Sequence, residues 1–76
     1  VKGGYPLIRQ PVQSSNIDSI GYDPEENILQ IKFNSGGIYN YHNVPRRVYT
    51  TLLAAPSKGK YFHSDIKSKF KYVKVI

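Results

Sequence analysis

Asn27-Ile-Leu-Gln-Ile-Lys-Phe33-Asn-Ser-Gly-Gly37-Ile-Tyr39-Asn-Tyr41-His-Asn-Val-Pro45 is the stretch whose reading decides the fold. Ile28 to Asn34 alternates, with Leu29, Ile31 and Phe33 on one side and Gln30, Lys32 and Asn34 on the other. A period of two predicts a half-buried antiparallel strand. Ser35-Gly36-Gly37 turns the chain, and Ile38 to Asn43 returns beside it. Loop length sets which way Tyr39 and Tyr41 point, because a one-residue slip sends every side chain to the other face. A three-residue loop pairs Asn34 with Ile38, Phe33 with Tyr39 and Ile31 with Tyr41, and turns both tyrosines toward the core. A two-residue loop, Ser35-Gly36, pairs Phe33 with Ile38 and turns them outward beside Lys32 and Gln30. Ser-Gly-Gly suits the three-residue type, a type I turn closed by a left-handed glycine. Tyrosines inside is therefore the expectation, with Asn40 and His42 beside Gln30 and Lys32 on a polar face.

Before this hairpin, Ile17 to Tyr22 reads as a short strand, and Gly21 within it suggests a bulge. Asp23-Pro24-Glu25-Glu26-Asn27 has turn chemistry: Asp first, Pro second, and an Asn able to take a left-handed conformation. Its acids belong to a loop tip, not to a catalytic pair. Residues 1–13 read as an extended lead-in, since Gly3-Gly4, Pro6 and Pro11 break any helix. Tyr5, Leu7 and Ile8 either dock on the body or stay with a loose terminus. Val1 marks the sequence as a processed chain or a piece of a longer one.

After the hairpin, Pro45 suits the first turn of a helix over about 45–55. Val48, Tyr49, Leu52, Leu53 and Ala55 form its apolar stripe, and Pro56 ends it. Ser57 caps a second short helix to about residue 64, weakened by Gly59. Phe62 and Ile66 stand one helical turn apart, facing the core. The tail is ambiguous: Ile66, Phe70 and Val73 fit a helix, while Lys69, Phe70, Lys71 and Tyr72 alternate as in a strand. The valines and Ile76 favour the strand. The predicted fold class is α+β: a three-stranded antiparallel meander (about 17–22, 28–34, 38–43), then two short helices (about 45–55, 57–64) on one sheet face, with a further C-terminal strand from the tail. Residues 14–76 make one domain.

Composition bounds the rest. A 76-residue chain buries only about 60% of its unfolded surface. There is no cysteine, so neither a disulfide nor a cysteine-based metal site supports the fold, and seven tyrosines with three phenylalanines supply the packing. The lack of cysteine fits a reducing, cytoplasmic compartment. No apolar run approaches the roughly 20 residues of a membrane span.

Charge is uneven. Residues 1–44 carry three bases against four acids, net −1; residues 45–76 carry eight bases against Asp65 alone, net +7. Such asymmetry points to a polyanionic partner, although basic residues also serve solubility. Arg46 and Arg47 sit at the positive end of the first helix dipole, against the local field. Lys58, Lys60, Tyr61, Lys67, Lys69, Lys71 and Tyr72, with Lys74 following, interleave cations with aromatic rings. Cations neutralise phosphates and release counterions, and exposed rings stack on unpaired bases. Ser57-Lys58-Gly59-Lys60 is not a phosphate-binding loop, because it lacks the earlier glycine and the hydroxyl after the lysine.

Several segments together resemble one family. Ser15-Asn16-Ile17, Ile20-Gly21-Tyr22-Asp23, the Phe33 to Gly37 turn, Tyr39-Asn40-Tyr41, Asn43-Val44-Pro45, Val48-Tyr49 and Ser57-Lys58-Gly59-Lys60-Tyr61-Phe62 look like the KTSC domain, over about residues 9 to 72. That family is named for its occurrence at the C-terminus of some lysyl-tRNA synthetases, and it also occurs as a free-standing bacterial or phage protein. The resemblance makes Tyr39-X-Tyr41 the family signature and implies RNA binding, by association with the synthetase.

Three function classes follow. The favoured expectation is a non-catalytic domain binding RNA or single-stranded nucleic acid through Arg46, Arg47, Lys58, Lys60, Tyr61, Lys67, Lys69, Lys71 and Tyr72. Tyr39 and Tyr41 are expected to be structural. The second class is a protein-interaction adaptor, since Tyr and Arg dominate interface hot spots. The remote third is a metal-independent ribonuclease using His42 and His63 as acid and base. No cofactor is implied, and the His and Asp spacings match no metal site.

Overall fold

The computed structural model describes residues 7–76. Five strands form one antiparallel sheet in chain order: β1 (Gln10–Pro11), β2 (Ile17–Asp23), β3 (Ile28–Phe33), β4 (Ile38–Tyr41) and β5 (Tyr72–Lys74). Two helices, α1 (Arg46–Ala54) and α2 (Lys58–Asp65), lie between β4 and β5 in the chain. The α+β class, the meander, both helices and the C-terminal strand agree with expectation.

Ile17, Ile20, Leu29, Ile31, Tyr41 and Val44 from the sheet side meet Leu52 of α1, Phe62 of α2 and Ile66 in one core. A regular strand would send Ile17 and Ile20, three residues apart, to opposite faces. The ladder is irregular between Ile17 and Ser19, so Asp18 is the extra residue and both isoleucines become fully buried. The bulge is therefore at Asp18 and not at Gly21. Gly21 instead makes room for the lead-in. A Cβ there would stand 2.9 Å from the Ile8 carbonyl oxygen and 3.2 Å from Arg9 Cγ, so the lead-in crosses the sheet at that point.

The lead-in is thus more than an extended arm. Gln10 and Pro11 pair with Ile20 and Ser19, and the proline is tolerated because β1 is an edge strand. Arg9 donates from Nε to Ser19 Oγ (3.1 Å) and from Nη1 to Gln30 Oε1 (2.7 Å), and Gln30 Nε2 donates to Asn40 Oδ1 (2.8 Å). This polar ladder runs from the residue before β1 to β4 on the face away from the helices and satisfies the otherwise costly burial of Ser19 and Gln30. Leu7 is half-buried and Ile8 exposed; Tyr5 lies outside the described residues.

The hairpin loop has three residues, but they are Asn34-Ser35-Gly36. Phe33 N–H donates to Gly37 O, and Gly36 holds the left-handed position at φ 109°. Lys32, not Asn34, pairs with Ile38, and Ile31 and Leu29 face Tyr39 and Tyr41. Asn34 is drawn away from this ladder: its N–H donates to Asn16 O and its side-chain amide to Ser14 O. The displacement is two residues, an even number, so both tyrosines still face the helices.

Around the next turn, Asp23 Oδ1 accepts from the N–H groups of Glu25 and Glu26, and Asn27 adopts φ 57°. Pro45 is the residue before α1 and not its first helical residue. Ser57 caps α2 by accepting from Lys60 N–H. Beyond α2, the N–H groups of Lys67, Lys69 and Phe70 bond back to Phe62 and Ile66, before β5 begins. The residues after α2 form turns and Val73 lies in β5, so the tail takes the strand reading over Tyr72–Lys74 and not the helical one.

Candidate functional site

The site is built where the helices stop covering the sheet. Tyr41 pairs with Tyr72 and Tyr39 with Lys74 across β4 and β5, so these four side chains share the helix-side face. The Phe62 ring from α2 stands edge-on to Tyr41 (centroids 5.5 Å) and to Phe33 (5.2 Å). Tyr72 packs at 5.6 Å from Tyr39 and 5.5 Å from Tyr41, tilted against both. Outside this stack lies an open groove of about 770 Å³. Phe33, Tyr39 and Tyr41 form its floor side, Tyr72 one wall, and His63 and Lys67 part of the other. Among the described residues, no carboxylate lines it. Lys74 Nζ lies 6.0 Å from the centroid of the Tyr39 ring, close enough for a cation–π contact.

The tyrosines differ in accessibility. Tyr41 is buried, and its phenol is pushed up to about 12 by burial first, then by the neighbouring Tyr39 and Tyr72 phenols. Tyr39 is half-buried and Tyr72 exposed. Both rings of the Tyr-X-Tyr pair line the groove, Tyr41 as part of the buried core and Tyr39 half-buried.

The expected cationic residues do not form one patch. Lys67 and Tyr72 line the groove. Lys58 Nζ donates to the Ala55 carbonyl at 3.0 Å, capping the end of α1. Lys60 and Tyr61 line a separate notch of about 530 Å³ with Thr51 and Pro56. Lys69 and Lys71 are exposed around the start of β5. Arg46 and Arg47 are exposed on the first turn of α1, where burial raises the Tyr22 phenol pKa more strongly than Arg46 lowers it.

His63 is exposed on the groove, whereas His42 follows β4 in the register of the outer face, its N–H bonded to Lys71 O. The two histidines are not brought onto one face. His63, on the groove, and Lys74, against the Tyr39 ring, are absent from the expected binding set. Lys74 alternates with Tyr72, but that signal acquires meaning only once Tyr39 is known to be its partner. Among the described residues, no group of three or more His, Asp or Glu side chains is arranged to hold a metal ion, and no helix is long and apolar enough to cross a membrane.

Known proteins resemble this chain in sequence and fold. The KTSC domain model matches residues 13–70. A protein of Tsukamurella paurometabola is 45% identical over 64 residues, covering 84% of this chain and 96% of that protein. A lysine–tRNA ligase of Nostoc is 44% identical over 68 residues; the match takes in 90% of this chain but only 12% of the ligase. The crystal structure of a KTSC domain protein from Yersinia pestis superimposes with a TM-score of 0.90 at 45% identity, covering 93% of this chain and all of that one. With the family model matched over most of its length, this chain belongs to the KTSC domain family.

Proposed function

We propose that this KTSC domain is a non-catalytic binding domain for RNA or single-stranded nucleic acid, working through its basic second half in a cytoplasmic setting. The observation that carries the reading is the groove. Five aromatic rings converge on a solvent-open cleft lined by Lys67 and His63, with no carboxylate among its described lining residues. Cations give sequence-independent affinity for phosphate, and accessible rings give affinity for unpaired bases. Lys69 and Lys71 before β5, and Lys74 within it, add further positive charge to this part of the chain. The occurrence of similar sequence within lysine–tRNA ligases, whose name carries an RNA substrate, is consistent with it. The lack of cysteine supports a reducing compartment.

Titration of a labelled single-stranded oligonucleotide over a salt series tests the reading. Affinity that falls steeply as salt rises is the expected result. Absence of binding at low salt removes it.

A second reading, a protein-interaction adaptor, is favoured by one feature. Val73, Val75 and Ile76 are exposed along the edge-strand segment of the tail, where a partner strand or apolar surface can dock.

A further inference from the structure

We propose that Tyr72 and Tyr39 form a stacking site for one unpaired base in the groove, and that Lys74 beside the Tyr39 ring takes the phosphate of the same nucleotide. This rests on the nucleic-acid reading above and assigns the place and the manner of contact.

A stacking platform needs a ring with a free surface and a firm backing. Tyr72 is 55% exposed, yet it is backed by Tyr39 and Tyr41 at 5.6 and 5.5 Å. Tyr41 is itself held by Phe62, so the backing continues into the core. The groove volume of about 770 Å³ lies within the range of roughly 300–1,000 Å³ usual for small-ligand sites. A base in a duplex has its faces covered by neighbours, so this geometry selects unpaired bases.

Lys74 supplies the charge beside the ring. Its ammonium lies toward the Tyr39 ring at 6.0 Å. A nucleotide meets both at once: its base takes the ring and its phosphate takes the ammonium. Lys67, on the other wall, gives a second phosphate contact. No carboxylate is among the described residues that line the groove, so Lys67 has no competing acidic partner there.

The experiment compares a labelled single-stranded oligouridylate of about ten nucleotides with an RNA duplex of similar length, each over a salt series. The proteins are wild type, Tyr72→Ala, Tyr72→Phe and Lys74→Gln. Tyr72 and Lys74 are exposed, and circular dichroism checks that each variant folds. Wild type is expected to prefer the single strand. Tyr72→Ala should weaken single-strand binding by about fivefold or more, the loss of one stacked base, and Tyr72→Phe should retain it. Lys74→Gln should lower the steepness of the salt dependence by about one unit. Equal binding of strand and duplex, or a Tyr72→Ala protein that binds like wild type, overturns the stacking site while leaving a salt-dependent polyanion binder. An unchanged salt slope in Lys74→Gln overturns the role of Lys74 alone. No binding of either probe at low salt overturns the nucleic-acid reading together with the site.

Discussion

Tyr41 and Tyr72 face each other across the β4–β5 ladder with ring centroids 5.5 Å apart, yet Tyr41 is 4% exposed and Tyr72 is 55% exposed. The boundary between core and surface runs between these two rings. Tyr41 is held by Phe62 and serves stability, while Tyr72 offers a surface that costs little to change.

That boundary has a titration signature. The Tyr41 phenol is raised from 10.0 to about 12, chiefly by desolvation. Ionisation is thus harder in the folded state than in the unfolded one. The associated stability is fully present below about pH 10 and declines as pH rises toward 12, because the unfolded chain releases its proton first. Absorbance titration near 295 nm should show late tyrosine ionisation, and Tyr41→Phe should remove its last step. A Tyr41→Phe protein with an unchanged titration curve would contradict the assignment.

Gly21→Ala should destabilise the fold by roughly 1–3 kcal/mol, a cost typical of forcing atoms into a packed site. The added methyl would meet the Ile8 carbonyl at 2.9 Å, and backbone cannot rotate away as a flexible side chain can. Displacing the lead-in also loosens Arg9 from Gln30 and Ser19. Urea denaturation gives the cost, and hydrogen exchange should show lost protection around β1 and Gln30. Unchanged stability means that the crossing at Gly21 is loose.

Arg46→Glu should stabilise the protein by about 0.5–1 kcal/mol, since the positive end of a helix dipole favours an acid over a base. The first turn of α1 has no acidic residue, and Pro45 makes no side-chain cap. Thermal or urea unfolding measures the gain. A gain with undiminished polyanion affinity takes Arg46 out of the binding surface, whereas a loss of affinity means that the arginine is kept there for a partner.

Much of this architecture is legible in the sequence because it rests on local chemistry. The alternation of Leu29, Ile31 and Phe33, the turn residues Asp23 and Asn27, and the Ser57 cap act within a few residues of themselves. The facing of Tyr39 and Tyr41 is legible for a subtler reason: the expected register differs from the real one by two residues, which preserves side-chain direction. What escapes local reading depends on a partner far away in the chain. The Arg9 contact with Gln30 spans 21 residues, and the pairing of Lys74 with Tyr39 spans more. The bulge at Asp18 has a local trace, the three-residue spacing of Ile17 and Ile20, but Gly21 offers a competing and more familiar one. The split of the cations between groove, notch, helix end and first turn depends on tertiary placement, so net charge alone joins residues that the fold separates.

The start of α1 hangs on Tyr22. Its hydroxyl donates to the Val44 carbonyl at 2.6 Å and lies 3.1 Å from Asn27 Oδ1, while its ring stacks on Tyr49 at 4.9 Å. The Val44 N–H in turn donates to Asn27 O at 2.9 Å, so one tyrosine ties the β2–β3 turn to the segment entering the helix. Tyr22→Phe keeps the ring stack and removes only the hydroxyl. Because Val44 is fully buried, its carbonyl then loses a partner that water cannot readily replace. The expected cost is about 1–3 kcal/mol in urea denaturation, whereas Tyr72→Phe, which changes an exposed hydroxyl, should cost much less. Equal stability losses for the two variants would mean that the Tyr22 hydroxyl does not anchor the helix.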